Sequence, residues 1–303
     1  MTFAIVGANK DQIIQVSDRR LTGLSGGDLL QEDFGKVGHL LCDDASVLYC
    51  FTGLATIREF NTSTWLMETL QTASKKDRRF DELIRHFADL ATKHFKSNPD
   101  VLSLETKQRK LTVMLSGYKS NGSIVNVLIS NFQDFVKFFN HEEAQPNFTV
   151  YCESPDIKDS ENPTIIQAIG AFSALPSESV DELRLLLEKR APHHAILGKS
   201  ASIVLKVSEH HRSSGTVGKR LNFGRIDHSS RDVAYAGYVS DITEKEIPLL
   251  NKIDARTHGA DLLIRDFGFS TSGNIVFPSV HRNALCPCGS GKKYKFCHRL
   301  SRK

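Results

Sequence analysis

No apolar run in this 303-residue chain approaches the roughly 18 to 20 residues that span a bilayer, which argues against a helical membrane protein. The beginning does not look like a secretory leader either: it has no basic stretch, and Asp11 and Asp18 interrupt the first apolar segment. The expected location is therefore the cytoplasm. No internal repeat and no long low-complexity segment is present. Acidic residues are missing from His281 to Lys303, where Arg282, Lys292, Lys293, Lys295, Arg299, Arg302 and Lys303 supply seven positive charges. The whole chain carries +4, so the first 280 residues stand at −3 and make no case for a nucleic-acid enzyme.

What is present reads as a globular protein. Hydrophobic residues make up 40% and charged residues 24%, and the length allows one large core, or a medium core with a small appendage. Six cysteines fall into two groups. Cys42, Cys50 and Cys152 are scattered among apolar neighbours and read as buried free thiols. Cys286, Cys288 and Cys297 crowd into twelve residues beside His298, a pattern that in a reducing compartment points to a metal before a disulfide.

Short β-branched runs open the chain. Phe3–Ala8 and Gln12–Ser17 flank a polar turn, and Gly35–Leu41 and Ser46–Thr52 make a second pair. Helical spacing follows at Ile57, Phe60, Thr64 and Met67, then at Phe80, Leu83, Ile84, Phe87, Leu90 and Ala91. Strands return at Leu111–Ser116, Ser123–Ile129, Phe148–Cys152 and Thr164–Ile169. Ser179-Val-Asp-Glu182 reads as a capping box opening another helix, and a further helix is expected from His194 to His210. His193-His194 and His210-His211 read as polar helix-end residues. Strands follow at Arg220–Ile226 and Val233–Val239, and weaker patterns predict helices at Ile247–Ile253 and Ala260–Phe267. Segregated runs of strands and helices indicate a layered α+β fold rather than an alternating one.

The tail reads CPCGSGKKYKFCH from Cys286 to His298. Three thiolates and one imidazole complete a tetrahedral zinc set with no open position, hence a structural site whose metal supplies the folding energy of a segment too small for a core. This stretch resembles the SEC-C motif, the zinc-binding tail of the bacterial preprotein translocase motor ATPase, which also recurs in unrelated proteins. The resemblance implies one structural Zn2+ on Cys286, Cys288, Cys297 and His298. It further implies a docking module for an acidic partner, with Lys292, Lys293 and Lys295 supplying charge and Tyr294 an aromatic anchor. Weak nucleic-acid binding is the second use for those charges.

Thr2 stands behind the initiator methionine, where removal of Met1 would expose it. An N-terminal threonine is a hydrolase nucleophile when its own amine takes the hydroxyl proton. A lysine ammonium nearby drives that amine toward its free base, a carboxylate holds the lysine, and a backbone N–H faces the developing oxyanion. Asp18 closes the second strand, Arg20 follows, Lys36 enters the third and Gly53 ends the fourth, all strand-end positions able to converge.

In order and spacing these residues resemble the proteasome β-subunits and their bacterial relatives among the N-terminal nucleophile (Ntn) hydrolases. The resemblance covers roughly residues 2–240 and is most specific in the first 55. It implies a four-layer αββα sandwich with Thr2, Asp18, Arg20, Lys36 and Gly53 as the catalytic set. Ala168-Ile-Gly-Ala-Phe-Ser-Ala174 resembles the turn that carries a supporting serine; Ala171 holds that position, and Ser173 is the candidate substitute. In His210-His-Arg-Ser-Ser-Gly-Thr216, His211 stands where the family has aspartate, while Ser214 and Gly215 remain. Ser214 completes the candidate site.

Three units are expected: an Ntn hydrolase domain over 1–241, a helical extension over 242–281 and the zinc-binding motif over 282–303. The function expected is a threonine-nucleophile amidohydrolase, foremost a peptidase acting on peptides or proteins, assembled as a homo-oligomer. Two alternatives stand beside it: a catalytically silent Ntn scaffold working through the tail, and a hydrolase of non-peptide amides.

Overall fold

The computed structural model describes residues 2–22, 29–31, 34–137, 139–153, 162–213, 215–231, 234–239, 249–256, 259–264, 268–269 and 275–276. The chain begins with β1 (Phe3–Ala8) and β2 (Gln12–Asp18), followed by the small hairpin of β3 (Leu21–Thr22) and β4 (Leu29–Gln31). Next come β5 (Val37–Leu41), β6 (Ala45–Gly53) and the short pair β7 (Thr56–Ile57) and β8 (Phe60–Asn61). Helices α1 (Thr62–Ser74) and α2 (Phe80–Ser97) lead through the single turn α3 (Pro99–Leu102) into β9 (Leu111–Lys119) and β10 (Ile124–Ser130). A second small hairpin, β11 (Gln133–Asp134) and β12 (Phe139–Asn140), precedes β13 (Thr149–Glu153) and β14 (Ile165–Gly170). Then follow α4 (Ser177–Glu188), α5 (His193–Glu209), β15 (Leu221–Asp227) and β16 (Ala234–Val239). The last strands are β17 (Leu249–Asp254), β18 (Gly259–Ile264), β19 (Gly268–Phe269) and β20 (Ile275–Val276).

Two seven-stranded sheets result, ordered β14-β1-β2-β15-β16-β19-β20 and β13-β10-β9-β6-β5-β17-β18. Successive strand side chains point to opposite faces, so each sheet feeds two cores at once. In the first sheet, Phe3, Ile5, Ile14 and Val16 pack on Leu183 and Leu187 of α4 and Ile196 of α5. Their neighbours Ala4, Val6 and Ile13 turn the other way and meet Val37, Leu48 and Met114 of the second sheet. Val47, Tyr49 and Phe51 of β6 face α1 and α2. Three apolar layers between four layers of structure make the expected α+β αββα sandwich.

Helix α2 places Phe80, Leu83, Ile84, Phe87, Ala91 and Phe95 on one buried stripe. Each of these large apolar side chains contributes about 1.5–3 kcal/mol on burial, against a few tenths from intrinsic propensity, so packing decides that this segment is a helix. Asp81 and Glu82 in its first turn and Lys96 in its last complement the helix dipole. At the start of α1, Asn61 accepts hydrogen bonds from the N–H groups of Ser63 and Thr64.

Four readings of the sequence are corrected. The segments Ile247–Ile253 and Ala260–Phe267, expected as helices, carry β17 and β18, so the described part of 242–281 is strand rather than a helical extension. β17 lies parallel to β5 and occupies an edge that would otherwise leave backbone groups unpaired, a tertiary demand that local periodicity does not carry. Ser179 is no cap: α4 starts at Ser177, and Ser179 is buried inside its first turn, accepting from Lys206 Nζ at 2.8 Å. Cys42 and Cys50 are buried free thiols as read, but Cys152 is exposed because β13 is the last strand of its sheet.

Candidate active site

Four strand ends meet at one corner of the sandwich. β1 starts at Phe3, so Thr2 stands at its lip, and β2 runs back antiparallel to end in Asp18. The second sheet brings Lys36 just before β5 and Gly53 at the end of β6. Thr2, Asp18 and Lys36 are all buried. Lys36 Nζ lies 2.7 Å from Thr2 Oγ1, 2.6 Å from the Arg20 carbonyl oxygen and 3.4 Å from Asp18 Oδ2.

Asp18 is held as firmly as the lysine. Its Oδ1 accepts the Phe3 N–H at 2.9 Å, and its Oδ2 accepts the N–H groups of Arg20 at 3.0 Å and Gly218 at 3.1 Å. Burial pulls the Lys36 amine below the ordinary lysine range, and the Asp18 carboxylate opposes that pull. A protonated Lys36 has three donors for its three neighbours; a neutral one has two donors and a lone pair. In the neutral form, Asp18 and the Arg20 carbonyl take the two N–H bonds, and the lone pair is left for the Thr2 hydroxyl.

Gly53 is required by its backbone. Its φ is +108°, and a Cβ there would overlap the Lys110 carbonyl. Arg20 serves this corner through its backbone at both ends, while its guanidinium donates to the Gly215 carbonyl at 3.2 Å. The structure does not bring Ser173 into this cluster. It is exposed on the turn after β14, where its carbonyl accepts from Arg212 at 3.5 Å, and among the described residues its hydroxyl has no hydrogen-bond partner. Ser214 lies outside the described residues, as do the four tail ligands Cys286, Cys288, Cys297 and His298. His211 is exposed, its ring 4.3 Å from that of His210.

Three participants escaped the sequence reading. The Thr52 hydroxyl donates to the Thr2 carbonyl oxygen at 3.1 Å. Gly170, at φ +89°, packs so closely on that same carbonyl that a Cβ would overlap it. Gly218 gives its N–H to Asp18 and lies against Arg20. Thr52 was readable as the residue before Gly53; the two glycines carry no local signal, since their roles arise from chain segments far apart.

The comparisons match two different stretches of the chain. Residues 282–300 match the SEC-C motif family. The protein translocase subunit SecA of Albidiferax ferrireducens is 73% identical over 26 residues, 9% of this chain and 3% of that protein. SecA of Rickettsia bellii is 77% identical over 22 residues, 7% of this chain and 2% of its own length. The chain thus spans only a few hundredths of the curated relatives it matches. Among solved structures, the helical assembly of the Anbu complex from Pseudomonas aeruginosa is 16% identical, covers 80% of this chain and 88% of its own, and superposes with a TM-score of 0.50. Anbu, the ancestral β-subunit, from Yersinia bercovieri is 14% identical with 77% and 86% coverage and a TM-score of 0.48. The Thiobacillus denitrificans BPH protein, solved with epoxomicin, is 16% identical, covers 75% and 98%, and scores 0.43. At these identities the likeness is one of fold.

Proposed function

We propose that this chain is a threonine-nucleophile amidohydrolase whose substrates are peptides. The observation that carries the reading is the 2.7 Å approach of Lys36 Nζ to Thr2 Oγ1 inside a buried, fully hydrogen-bonded frame. Removal of Met1 exposes the Thr2 amine. Thr2 Oγ attacks the amide carbonyl as its proton passes to the free Thr2 amine or to neutral Lys36, and the Gly53 N–H receives the oxyanion. The proton then moves to the departing amine, leaving an acyl ester on Thr2 that water releases. Asp18 and the Arg20 carbonyl keep Lys36 aimed through each step. Placing a general base in this way contributes typically 10²–10⁴-fold to rate.

The scaffold alternative draws on one observation, the exposed Ser173. It is weakened because Asp18 and Lys36 already satisfy each other without that hydroxyl.

In the tail, Cys286, Cys288, Cys297 and His298 form a donor set suited to Zn2+, which would hold the segment folded and take no part in the chemistry. The Lys292, Lys293 and Lys295 cluster then docks an acidic protein partner. Thiolates kept free for zinc suit a reducing compartment and thus a cytoplasmic location. Among the described residues no helix is long and apolar enough to cross a membrane. We extend to this chain the self-assembly seen in the helical Anbu complex and infer a homo-oligomer.

The test is intact mass before and after a threonine-reactive β-lactone, on the native chain and on Thr2→Ala. Loss of Met1 with one adduct that Thr2→Ala lacks is the expected result. A retained Met1, or an exposed Thr2 that takes no adduct, would sink the enzyme and leave the scaffold.

A further inference from the structure

On one flank of the sandwich, β14 ends the first sheet and β13 ends the second, and a cavity of about 650 Å³ opens between them. Sites for small ligands run to roughly 300–1,000 Å³, so it has room for a large side chain and its backbone. Phe135, Phe139, Tyr151 and Phe172 line it, with the Phe135 and Tyr151 rings edge to face at 5.4 Å. Val136, 73% exposed, stands at the mouth on the turn between β11 and β12. Phe139, 40% exposed, stands beside it, so two large apolar side chains of one hairpin face solvent at the same cavity.

The polar groups of the cavity ask for a donor. Gln133 is 2% exposed and lines the cavity; its Nε2 donates to Asn140 Oδ1 at 3.2 Å, yet its buried Oε1 has no partner among the described residues. A buried acceptor left unpaired costs about 1–3 kcal/mol, a penalty that a bound N–H would remove. Asp134 is the single charged residue of the lining, so phosphates and carboxylates are repelled while N–H donors are welcome. On β14, the Ala168 carbonyl is covered by the Gln167 side-chain amide at 3.0 Å, a local stand-in for a missing neighbour strand. Two residues of its lining, Ala168 and Phe172, lie two positions on either side of Gly170, which packs on the Thr2 carbonyl, so the groove and the corner share the end of β14.

We propose that this groove binds an extended apolar segment of the peptide substrate, laid along the edge of β14 that no described strand covers, with an aromatic or branched side chain in the cavity. An N–H of the segment meets Gln133 Oε1 once the buried amide turns toward the cavity, and main-chain pairing replaces the Gln167 cover on Ala168. The word substrate rests on the hydrolase reading; the binding itself does not need the chemistry.

The experiment uses the full chain as Thr2→Ala, so that binding is read without turnover. A fluorescein-labelled Ala-Leu-Phe-Leu-Ala peptide and a Gly-Ser peptide of equal length are compared by anisotropy, the apolar one being expected to bind at least about tenfold tighter. Added to Thr2→Ala, Gln133→Met is expected to weaken the apolar peptide about five- to tenfold by removing the acceptor. Val136→Asp, on an exposed turn where folding is not at stake, should weaken it by a similar factor. A benzophenone in place of the peptide's Phe should crosslink within residues 133–139, 150–152 or 166–175. Unchanged binding in both variants, or crosslinks confined elsewhere, overturns the proposal. β-Lactone labelling with no effect of the groove variants would discard the groove and keep the hydrolase. The reverse pattern would keep the groove as a peptide site and discard the hydrolase.

Discussion

The two sheets give different things to the corner at Thr2. The first supplies the Thr2 hydroxyl and the Asp18 carboxylate at the ends of β1 and β2, and Asp18 is bound there by three backbone N–H groups. The second supplies Lys36 and Gly53, and Lys36 reaches across the gap to Thr2, Asp18 and the Arg20 carbonyl. Asp18 is thus a structural hub, whereas Lys36 is an ionisable guest in a buried place. Removing each should separate stability from activity in opposite proportions.

The largest effect is expected from Lys36→Met, which fills the same volume without charge. β-Lactone labelling and peptide turnover should fall by roughly 10³–10⁴, while the melting temperature falls less than in Asp18→Ala, because the carboxylate that loses its counter-charge still accepts three backbone N–H bonds. The pH dependence sharpens this. The folded pKa of Lys36 is lowered by burial, so the unfolded chain holds more protons than the native one between that value and the ordinary lysine pKa. Stability from this group therefore grows as pH rises through that window and is lost as pH falls through the folded pKa. Activity should follow the same limb, since the neutral amine is the competent base. Lys36→Met should flatten the stability rise, as read by denaturant titrations across pH.

Asp18→Ala is next, and its mark is on the fold. It strands the three N–H donors and leaves Lys36 without its counter-charge, so unfolding free energy should drop by about 3–5 kcal/mol, with activity lost alongside. Urea titration of the purified variant reads it directly, and a loss below about 1 kcal/mol would contradict the hub role. Gly53→Ala forces a positive φ and an overlap with the Lys110 carbonyl, and should cost about 1–3 kcal/mol with a parallel loss of turnover. Thr52→Val is the smallest. It removes one hydrogen bond to the Thr2 carbonyl, and should lower kcat about tenfold with KM little changed, while Thr52→Ser restores it.

Much of this corner was legible because strand ends are marked locally: β-branched runs stop at Asp18 and Gly53, and Lys36 directly precedes another. The segregation of strand runs from helix runs also gave the layered fold its signature. What stayed hidden depends on partners distant in the chain. β17 and β18 read as helices because what makes them strands is the pairing of β17 with β5, on which β18 then pairs, and no window around residue 250 contains β5. Ser179 carried a cap pattern, yet its hydroxyl is taken by Lys206. Gly170 and Gly218 are ordinary glycines until β14 and the turn before β15 bring them to Thr2 and Asp18. Gln133 looked like any polar loop residue, and only the cavity beside it exposes its unpaired oxygen.

The hydrogen bond from Gly218 to Asp18 joins residues 200 apart, and β1 pairs with β14 across a comparable stretch. At the roughly 5–20 residues per second of protein synthesis, that span takes on the order of 10–40 s to emerge from a ribosome. Throughout that time Thr2 is already outside, yet the frame that aims Lys36 at it is incomplete. The corner therefore closes late: a nascent copy carries Thr2 long before the segment that frames it has been made.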